Sequence, residues 1–182
     1  LIAFPVWIYR APVIFVHGFL GDSTAFDEMK YSIKQVPSLV CLADYRENNG
    51  ASFRTNQNVT PLAIEKLLNR AFENNYSAGK VSLVAHSMGG ILARLYIQST
   101  FLNYQNNVDR LITLNTPHSG TQLANRFLGL GETLTFFLGK GNGAVIDLCV
   151  DYDGIRKYLN GSTKNNGFRV PSHALATELY SF

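Results

Sequence analysis

The sequence is short of charged residues, of cysteine and of long apolar runs. Only 16% of its 182 residues are charged, against 46% that are hydrophobic, and a net charge of +3 comes from scattered lysines and arginines. This composition excludes a disordered chain, and the lack of a basic stripe argues against a nucleic-acid partner. The length and hydrophobic content predict one globular domain with an ample core.

Two cysteines, Cys41 and Cys149, are too few to build a disulfide framework, and Cys41 lies in a run with the pattern of a buried strand. No apolar run reaches the length of about 20 residues that a membrane-spanning helix needs. The apolar start, residues 1–9, is short, lacks a charged beginning and contains Pro5. We therefore expect an early strand or a cut segment there and not a signal peptide. The cellular compartment stays open.

What the sequence does contain is a short segment in which a strand pattern changes to a helix pattern at a serine. Residues 81–85 form an apolar run that is typical of a buried parallel strand. From residue 88 to 100 the apolar residues recur at helical spacing. Ser87 is therefore predicted to lie on the turn. Such a turn requires small residues two positions before and after the serine, where Ala85 and Gly89 stand.

Segment 85–90, Ala-His-Ser-Met-Gly-Gly, resembles the nucleophile elbow of the α/β-hydrolases, G-x-S-x-G, in the variant with alanine first that some lipases carry. The resemblance implies an α/β fold with a doubly wound, mostly parallel sheet. It also implies that Ser87 is the catalytic nucleophile. A helix-capping serine followed by two glycines is the alternative interpretation of this segment.

A second segment supports the same resemblance. Residues 11–16 have the pattern of a buried strand and lead into His17 and Gly18, which begin a loop. In lipases with a His-Gly-apolar start, the residue after the glycine and the residue after the nucleophile donate backbone N–H groups to the oxyanion. By this resemblance the oxyanion donors are Phe19 and Met88. Taken alone, the His-Gly pair is only a polar exit from a strand.

The other strand and helix patterns fit this fold. They alternate along the chain, which predicts a parallel sheet with helices on both faces. Just past one of the strands, Asp44, Tyr45 and Arg46 are either ligand-facing residues or the site of a solvated ion pair. The further strands are predicted over 39–43, 108–114 and 168–177.

Two helices have predicted starts. Ser23 is expected to cap the first of them, and Thr60 to cap the second with Pro61 in its first turn. The apolar face of the second helix is predicted to comprise Ile64, Leu67, Leu68, Ala71 and Phe72.

Segment 115–121, Asn-Thr-Pro-His-Ser-Gly-Thr, resembles the bacterial triacylglycerol lipases and the inositol-deacylase-like hydrolases. His118 precedes every acid that could complete a triad, whereas this fold uses the order serine, acid, histidine. We therefore expect His118 to shape the loop of the active-site pocket and not to act as the base. His86, next to Ser87 on the turn, should point away from the serine oxygen. Residues 122–166 resemble the inserted cap of lipases, and a pair of ordinary core helices is the alternative.

The catalytic triad is incomplete in the positions that the family uses. No histidine follows His173, and the last candidate acid is Glu178. We expect a chain that is cut short at its C-terminal end, so that the final strands, the acid and the histidine are missing. The alternative is a compact lipase in which Asp147, Asp151 or Asp153 is the acid and His173 is the base.

The resemblance as a whole implies a serine hydrolase that cleaves carboxylic esters, with a lipid-type acyl chain, through an acyl-enzyme on Ser87. It implies no metal and no organic cofactor. The partner is a lipid or another ester substrate, and a transient contact with a membrane surface stays open. The alternatives are a non-catalytic module that binds an acyl ligand in the same fold, and a thioesterase or amidase.

Overall fold

The computed structural model describes residues 9–34, 36–99, 101–129, 142–152, 154–160 and 170–176. These residues form a five-stranded sheet flanked by helices. All neighbouring strands of the sheet run parallel, so their carboxyl ends lie along one edge. The α/β fold predicted from the alternating strand and helix patterns is confirmed.

The sheet is organised around its third strand in chain order. The strands are β1 (Val13–Val16), β2 (Val40–Ala43), β3 (Val81–His86), β4 (Val108–Leu114) and β5 (Ser172–Leu175). Their order across the sheet is β2-β1-β3-β4-β5. Strand β3 therefore lies between β1 and β4, and the loops that leave those two strands flank the residue that follows β3. The strand predicted over 168–177 is shorter in the structure, and residues 168, 169 and 177 lie outside the described residues.

Helices and short turns connect the strands. Among the residues described, no helix combines the length and the apolar character needed to cross a membrane. The described helices are α1 (Asp27–Ser32), α2 (Phe53–Asn56), α3 (Val59–Glu73), α4 (Met88–Gln98), α5 (Gln122–Gly129) and α6 (Gly143–Leu148), with 3₁₀ turns at Ser23–Phe26, Pro37–Leu39 and Arg46–Asn48 and a π-helical turn at Arg156–Asn160.

Helix α4 is the most enclosed element of the fold. Every one of its residues is buried, as is typical of a helix that passes through a protein core. It packs against β1, β3 and β4 and also contacts α3 and the π-helical turn. A smaller apolar cluster consists of Phe15 of β1, Val40 of β2 and Phe26 of the first 3₁₀ turn. The start of α4 is thus held firmly at the centre of the sheet.

Two helix starts differ from those predicted. The Asp22 carboxylate, and not Ser23, caps the first 3₁₀ turn by accepting a hydrogen bond from the Thr24 amide at 2.8 Å. Helix α3 begins at Val59, so Thr60 is a buried residue of its first turn and not its cap. Neighbouring polar residues compete for a capping position, and the path of the entering loop decides between them.

The apolar face of α3 is narrower than predicted. Ile64, Leu67 and Ala71 are fully buried, whereas Phe72 is 80% exposed. The three buried residues lie along one stripe of the helix. Phe72 directly follows Ala71, so its side chain lies about 100° away from this stripe around the helix axis. The neighbouring elements cover only the stripe.

The segment predicted as a cap, residues 122–166, is described only in part. Helix α5 packs on α6, and α6 contacts α2. Ala124, Ala144 and Leu148 belong to the main core. Cys149, at the end of α6, is a buried free thiol, as Cys41 is in β2. The division of the segment into a separate cap stays a prediction, because residues 130–141, 153 and 161–166 lie outside the described residues.

Close approach between α4 and β1 explains the need for glycine at position 89. A Cβ added there would overlap the carbonyl oxygens of Val16 and His17. The steric requirement at Gly89 therefore comes from the backbone at the end of β1, and not from Ala85 as the sequence pattern suggested. Helix α4 and β1 can meet at this distance only if position 89 carries no side chain.

We expect Gly89→Ala to lower the free energy of unfolding by about 1–3 kcal/mol, because the added methyl group must push α4 away from β1. Gly79→Ala is the matched control, since a Cβ added at Gly79 meets no atom within 4 Å. Urea denaturation of both variants measures the difference. Equal unfolding midpoints for the two variants would contradict the close packing at Gly89.

Candidate active site

Ser87 is the single residue between β3 and α4. Its backbone has φ 51° and ψ −126°, a conformation that residues other than glycine rarely adopt. Its amide donates to the Leu114 carbonyl at 2.9 Å, and its carbonyl accepts from the Gly90 amide at 3.0 Å. These bonds hold the strained turn in place. Ser87 lies at the carboxyl edge of the sheet and is half-buried.

The loop that leaves β1 lies directly against Ser87. A Cβ added at Gly18 would lie 2.7 Å from the Ser87 Cβ, so no side chain fits there. The Gly18 carbonyl accepts hydrogen bonds from the Gly21 amide at 3.1 Å and from His17 Nδ1 at 3.0 Å. Because a trans peptide points its N–H away from its C=O, the Phe19 N–H points away from both of these donors. Within the described residues, this N–H has no hydrogen-bond partner.

Met88 begins α4 beside Ser87. Its side chain is fully buried and anchors the first turn of the helix in the core. The first N–H groups of a helix have no partner within the helix and carry the positive end of its dipole. The structure thus places the backbone of Met88 next to Ser87, at the start of the helix that packs against the end of β1.

His17 is a buried side chain whose hydrogen bonds define its protonation. Its Nε2 accepts from the Tyr45 amide at 3.2 Å, so this nitrogen carries no proton. Its Nδ1 faces the Gly18 carbonyl and must therefore carry one. The imidazole stacks on the Tyr45 ring, with 4.1 Å between the ring centroids and 9° between the planes. His17 is accordingly a neutral, fixed donor to the loop beside Ser87.

Asp44 and Arg46 form the ion pair that was one of two predictions for these residues. The Asp44 carboxylate binds the Arg46 guanidinium, which also donates to Ser23 Oγ at 2.9 Å. The hydrogen bond and the positive charge of Arg46 lower the pKa of Asp44 to about 2. The same carboxylate lies 3.5 Å from His17 Nε2. The pair joins the exit of β2 to the loop after β1.

His118 takes part in a hydrogen-bond chain between α4 and β4. Its Nδ1 lies 3.1 Å from Arg94 Nη1, and its Nε2 lies 3.0 Å from Thr113 Oγ1. An arginine can only donate, so Nδ1 accepts and Nε2 carries the proton. Burial, and then the charge of Arg94, lower the pKa of His118. Both ring nitrogens are engaged, which agrees with the structural role expected for this residue.

The chain of hydrogen bonds continues on both sides of His118. Arg94 is buried in α4 and donates through Nε to Gln98 Oε1 at 2.9 Å, and Thr113 Oγ1 donates to the His173 carbonyl at 3.4 Å. Burial lowers the pKa of Arg94. The chain therefore ties α4, β4 and β5 together beside a cavity of about 500 Å³.

His86, the last residue of β3, lies beside the loop after β1. Its ring packs near Gly18, where a Cβ would lie 3.3 Å from Nδ1. Partial burial lowers its pKa, which favours the neutral imidazole. Within the described part of the chain, no hydrogen bond joins His86 to Ser87.

His173 is far from Ser87 in the sheet. It pairs with Ile112, which pairs with Val84, three residues before Ser87. Three residues along a strand correspond to about 10 Å, and two strand spacings add about 10 Å in the perpendicular direction. The side chain of His173 cannot bridge this separation.

The structure describes two of the three acids proposed with His173. The Asp147 carboxylate accepts a hydrogen bond from the Phe53 amide at 2.6 Å, at the start of α2. Asp151 is exposed, and Asp153 lies outside the described residues. In the part of the chain that the structure describes, neither Asp147 nor Asp151 is bonded to His173. Among Ser87, His173, Asp147 and Asp151, the alternative triad is not assembled.

The match to known proteins agrees with this geometry. Residues 11–131, well over half of the chain, match the family described as having the alpha/beta hydrolase fold. The chain belongs to this α/β-hydrolase family. The matched region contains β1 to β4, the turn at Ser87 and the loop that carries Phe19.

Solved structures with the α/β-hydrolase fold superimpose on most of the chain. The mature form of lipase BlEst2 from Bacillus licheniformis has a TM-score of 0.69 at 23% identity, over 94% of this chain and 68% of that one. Phospholipase PlaB from Legionella pneumophila has a TM-score of 0.61 at 19% identity, over 90% of this chain and 38% of that one. The carboxylesterase EstE1, cloned from a metagenomic library, has a TM-score of 0.57 at 16% identity, over 96% of this chain and 72% of that one.

These similarities show the fold. The chain spans about two thirds of the mature lipase and 35% of the propeptide form of the same lipase. A search of curated protein sequences finds no match.

The structure gives two residues of this candidate site roles that the sequence did not predict. Tyr45 and Arg94 are both buried and both bind the backbone or side chain of a histidine near the carboxyl edge. The sequence could have indicated a role for Arg94, because an arginine inside an otherwise apolar helix must find buried hydrogen-bond partners. The position of Tyr45 after a strand marked it as a candidate ligand-facing residue, but nothing in the sequence indicated its partner His17, which lies 28 residues away along the chain.

We expect Asp147→Asn to stabilise the protein at pH 7 relative to wild type. Burial raises the pKa of Asp147, so the folded protein disfavours the ionised carboxyl, whereas asparagine keeps an oxygen for the Phe53 amide. This gain in stability should shrink as the pH falls below the raised pKa of Asp147. It should be lost below pH 3.8, the ordinary pKa of this carboxyl in the unfolded chain, because the carboxyl is then protonated in both states.

Thermal unfolding at pH 4 and pH 7 measures this difference for Asp147→Asn. Asp151→Asn is the control, because it changes an exposed carboxylate nearby. A loss of stability at pH 7 for Asp147→Asn alone would show that the start of α2 needs the negative charge.

Proposed function

We propose that this protein is a serine hydrolase that cleaves carboxylic esters through an acyl-enzyme on Ser87. The observation that carries the proposal is the strained Ser87 backbone, at φ 51°, between the central strand and the start of a buried helix. Such a turn presents a serine hydroxyl at the carboxyl edge of the sheet, where it can reach a substrate carbonyl.

The proposal assigns the oxyanion hole to the backbone N–H groups of Phe19 and Met88. A tetrahedral intermediate needs donors that are already in place, and each of them typically contributes a factor of about 10²–10³ in rate. The contact between Gly18 and Ser87 supports this assignment, because it leaves no space for a side chain between the loop and the serine. The free N–H at the start of α4 supplies the second donor together with the helix dipole.

In the reaction, the Ser87 hydroxyl would attack the ester carbonyl and a base would accept its proton. The alcohol would leave, and water would then release the acid from the acyl-enzyme. The proposal assigns no described histidine as this base. His17 and His118 use both ring nitrogens in other bonds, and His173 lies too far from Ser87 in the sheet.

A lipid-type acyl chain is the substrate that the surroundings of Ser87 favour. Phe19 is partly buried against the core, and Leu20 beside it is 48% exposed, so the loop offers an apolar edge next to the serine. The names of the similar structures, a lipase, a phospholipase and a carboxylesterase, support ester substrates as a class. A thioesterase or amidase would use the same groups on a different acyl donor.

A non-catalytic module that binds acyl ligands is the second candidate. The observation in its favour is that His17 and His118 are held as neutral structural residues, which leaves Ser87 without a described base. The two candidates differ in the reactivity of Ser87, because only an activated serine is phosphonylated rapidly.

We expect a fluorophosphonate probe to label the full-length natural protein at Ser87 and to release one leaving group per molecule. Ser87→Ala should lose the labelling, whereas Ser119→Ala, which changes an exposed serine in the loop after β4, should keep it. Mass spectrometry of the labelled peptide identifies the modified residue. Turnover of short-chain and long-chain p-nitrophenyl esters, the matching thioesters and anilides gives the substrate class.

Labelling of Ser87→Ala at the wild-type rate would overturn the assignment of the nucleophile. A folded wild-type protein that binds a fatty acid but is neither labelled nor active would favour the binding module.

A further inference from the structure

Tyr45 joins the exit of β2 to the loop beside Ser87 through three separate contacts with one residue. It is buried and lies two residues after the end of β2. Its hydroxyl donates to the His17 carbonyl at 2.6 Å, its amide donates to His17 Nε2 at 3.2 Å, and its ring stacks on the His17 imidazole. Tyr45 thus holds both the backbone and the side chain of His17.

The first consequence concerns the peptide between His17 and Gly18. Its carbonyl oxygen accepts the Tyr45 hydroxyl on one side, and on the other it faces the position where Gly89 of α4 has no side chain. A planar peptide with its oxygen fixed in this way cannot rotate. The backbone that enters the loop is therefore set by Tyr45 and by the packing of α4.

The second consequence concerns the peptide between Gly18 and Phe19. Tyr45 occupies Nε2 of His17 and so leaves the proton on Nδ1, which donates to the Gly18 carbonyl at 3.0 Å. The Gly21 amide binds the same oxygen. Because the Phe19 N–H is opposite this oxygen, its direction follows from the tautomer of His17, and the tautomer follows from the backbone amide of Tyr45.

We propose that Tyr45 is a positioning residue that aims the Phe19 N–H at the oxyanion through His17. This inference rests on the proposed ester hydrolase function and on Phe19 as an oxyanion donor. Tyr45 itself touches no reacting atom. Its effect falls on the position of a donor that gains strength only when negative charge develops on the substrate oxygen.

The test is Tyr45→Phe in the full-length natural protein, which removes the hydroxyl that holds the His17 carbonyl but keeps the ring stack, the amide and therefore the tautomer of His17. We expect kcat for a p-nitrophenyl ester to fall roughly 10-fold to 100-fold, because a small misplacement of a donor weakens only the transition state. KM should change less than about twofold. The affinity for a trifluoromethyl ketone, which forms a tetrahedral adduct with an active-site serine, should fall by the same factor as kcat.

Tyr96→Phe is the matched control. Tyr96 is also buried, and its hydroxyl donates to Asn107 Oδ1 at 2.8 Å, near the far end of α4 from Ser87. Both variants lose one buried tyrosine hydroxyl, so their melting temperatures should fall by similar amounts. A merely structural role for Tyr45 predicts equal kinetics in the two variants at equal stability, and that result would overturn the proposal.

A measurement on the wild-type protein keeps the proposal testable if Tyr45→Phe does not fold. The ¹⁵N shifts of His17 should show a neutral ring with its proton on Nδ1. A proton on Nε2, or a doubly protonated ring, at the pH of the assay would contradict the proposed link between Tyr45 and the loop.

Ser87→Ala separates the failure of this inference from the failure of the proposed function. If Ser87→Ala abolishes turnover and Tyr45→Phe has wild-type kcat and inhibitor affinity, the positioning role is wrong and the hydrolase remains. If Ser87→Ala keeps full turnover, the proposed function is wrong and the role of Tyr45 in it fails with it.

Discussion

The strained backbone of Ser87 is the constraint on which the site depends. A non-glycine residue at φ 51° and ψ −126° costs of order 1–3 kcal/mol, and it persists only where the surroundings allow no alternative. Here its amide is bound to β4 and its carbonyl to the first turn of α4. Helix α4 cannot shift to relieve the strain, because it is buried along its whole length. The core thus supports an unfavourable local conformation at the carboxyl edge.

The order of the strands explains which loops surround Ser87. Since β3 lies between β1 and β4, and all three run parallel, their exits share one edge of the sheet. The loop after β1 places Gly18 against the serine, and the loop after β4 places Thr116 where a side chain on Gly90 would be. Both contacts need glycine, one on the loop and one on the helix. The turn that carries Ser87 therefore lies between the exits of two strands that are distant along the chain.

Histidines support this edge from both sides, and each is fixed as a neutral ring. His17 is bound by Tyr45 and donates to Gly18, and His118 accepts from Arg94 and donates to Thr113. A buried imidazole that stays neutral avoids the cost of burying a charge and still makes two directed hydrogen bonds. Each ring joins two elements that meet at the carboxyl edge, β1 to β2 in one case and α4 to β4 in the other. The two histidines thus hold the loops beside Ser87 in fixed positions through these hydrogen bonds.

The sequence by itself determined the parallel sheet and the turn at Ser87. Alternating strand and helix patterns predicted the parallel order, because periodicity depends on which face of an element is buried, and a change of period at Ser87 marked the turn. Local patterns could not decide the caps at Asp22 and Val59, where adjacent residues compete.

Only the tertiary structure decided which distant residues meet. Tyr45 and His17 are 28 positions apart, and Gly89 faces the backbone of β1 instead of Ala85. The register between β4 and β5 places His173 far from Ser87. The packing of α6 against α2 brings Asp147 to the Phe53 amide, which donates a hydrogen bond to its carboxylate. Such contacts depend on how the elements pack. Spacing along the chain carries no information about partners that the fold brings together from different strands.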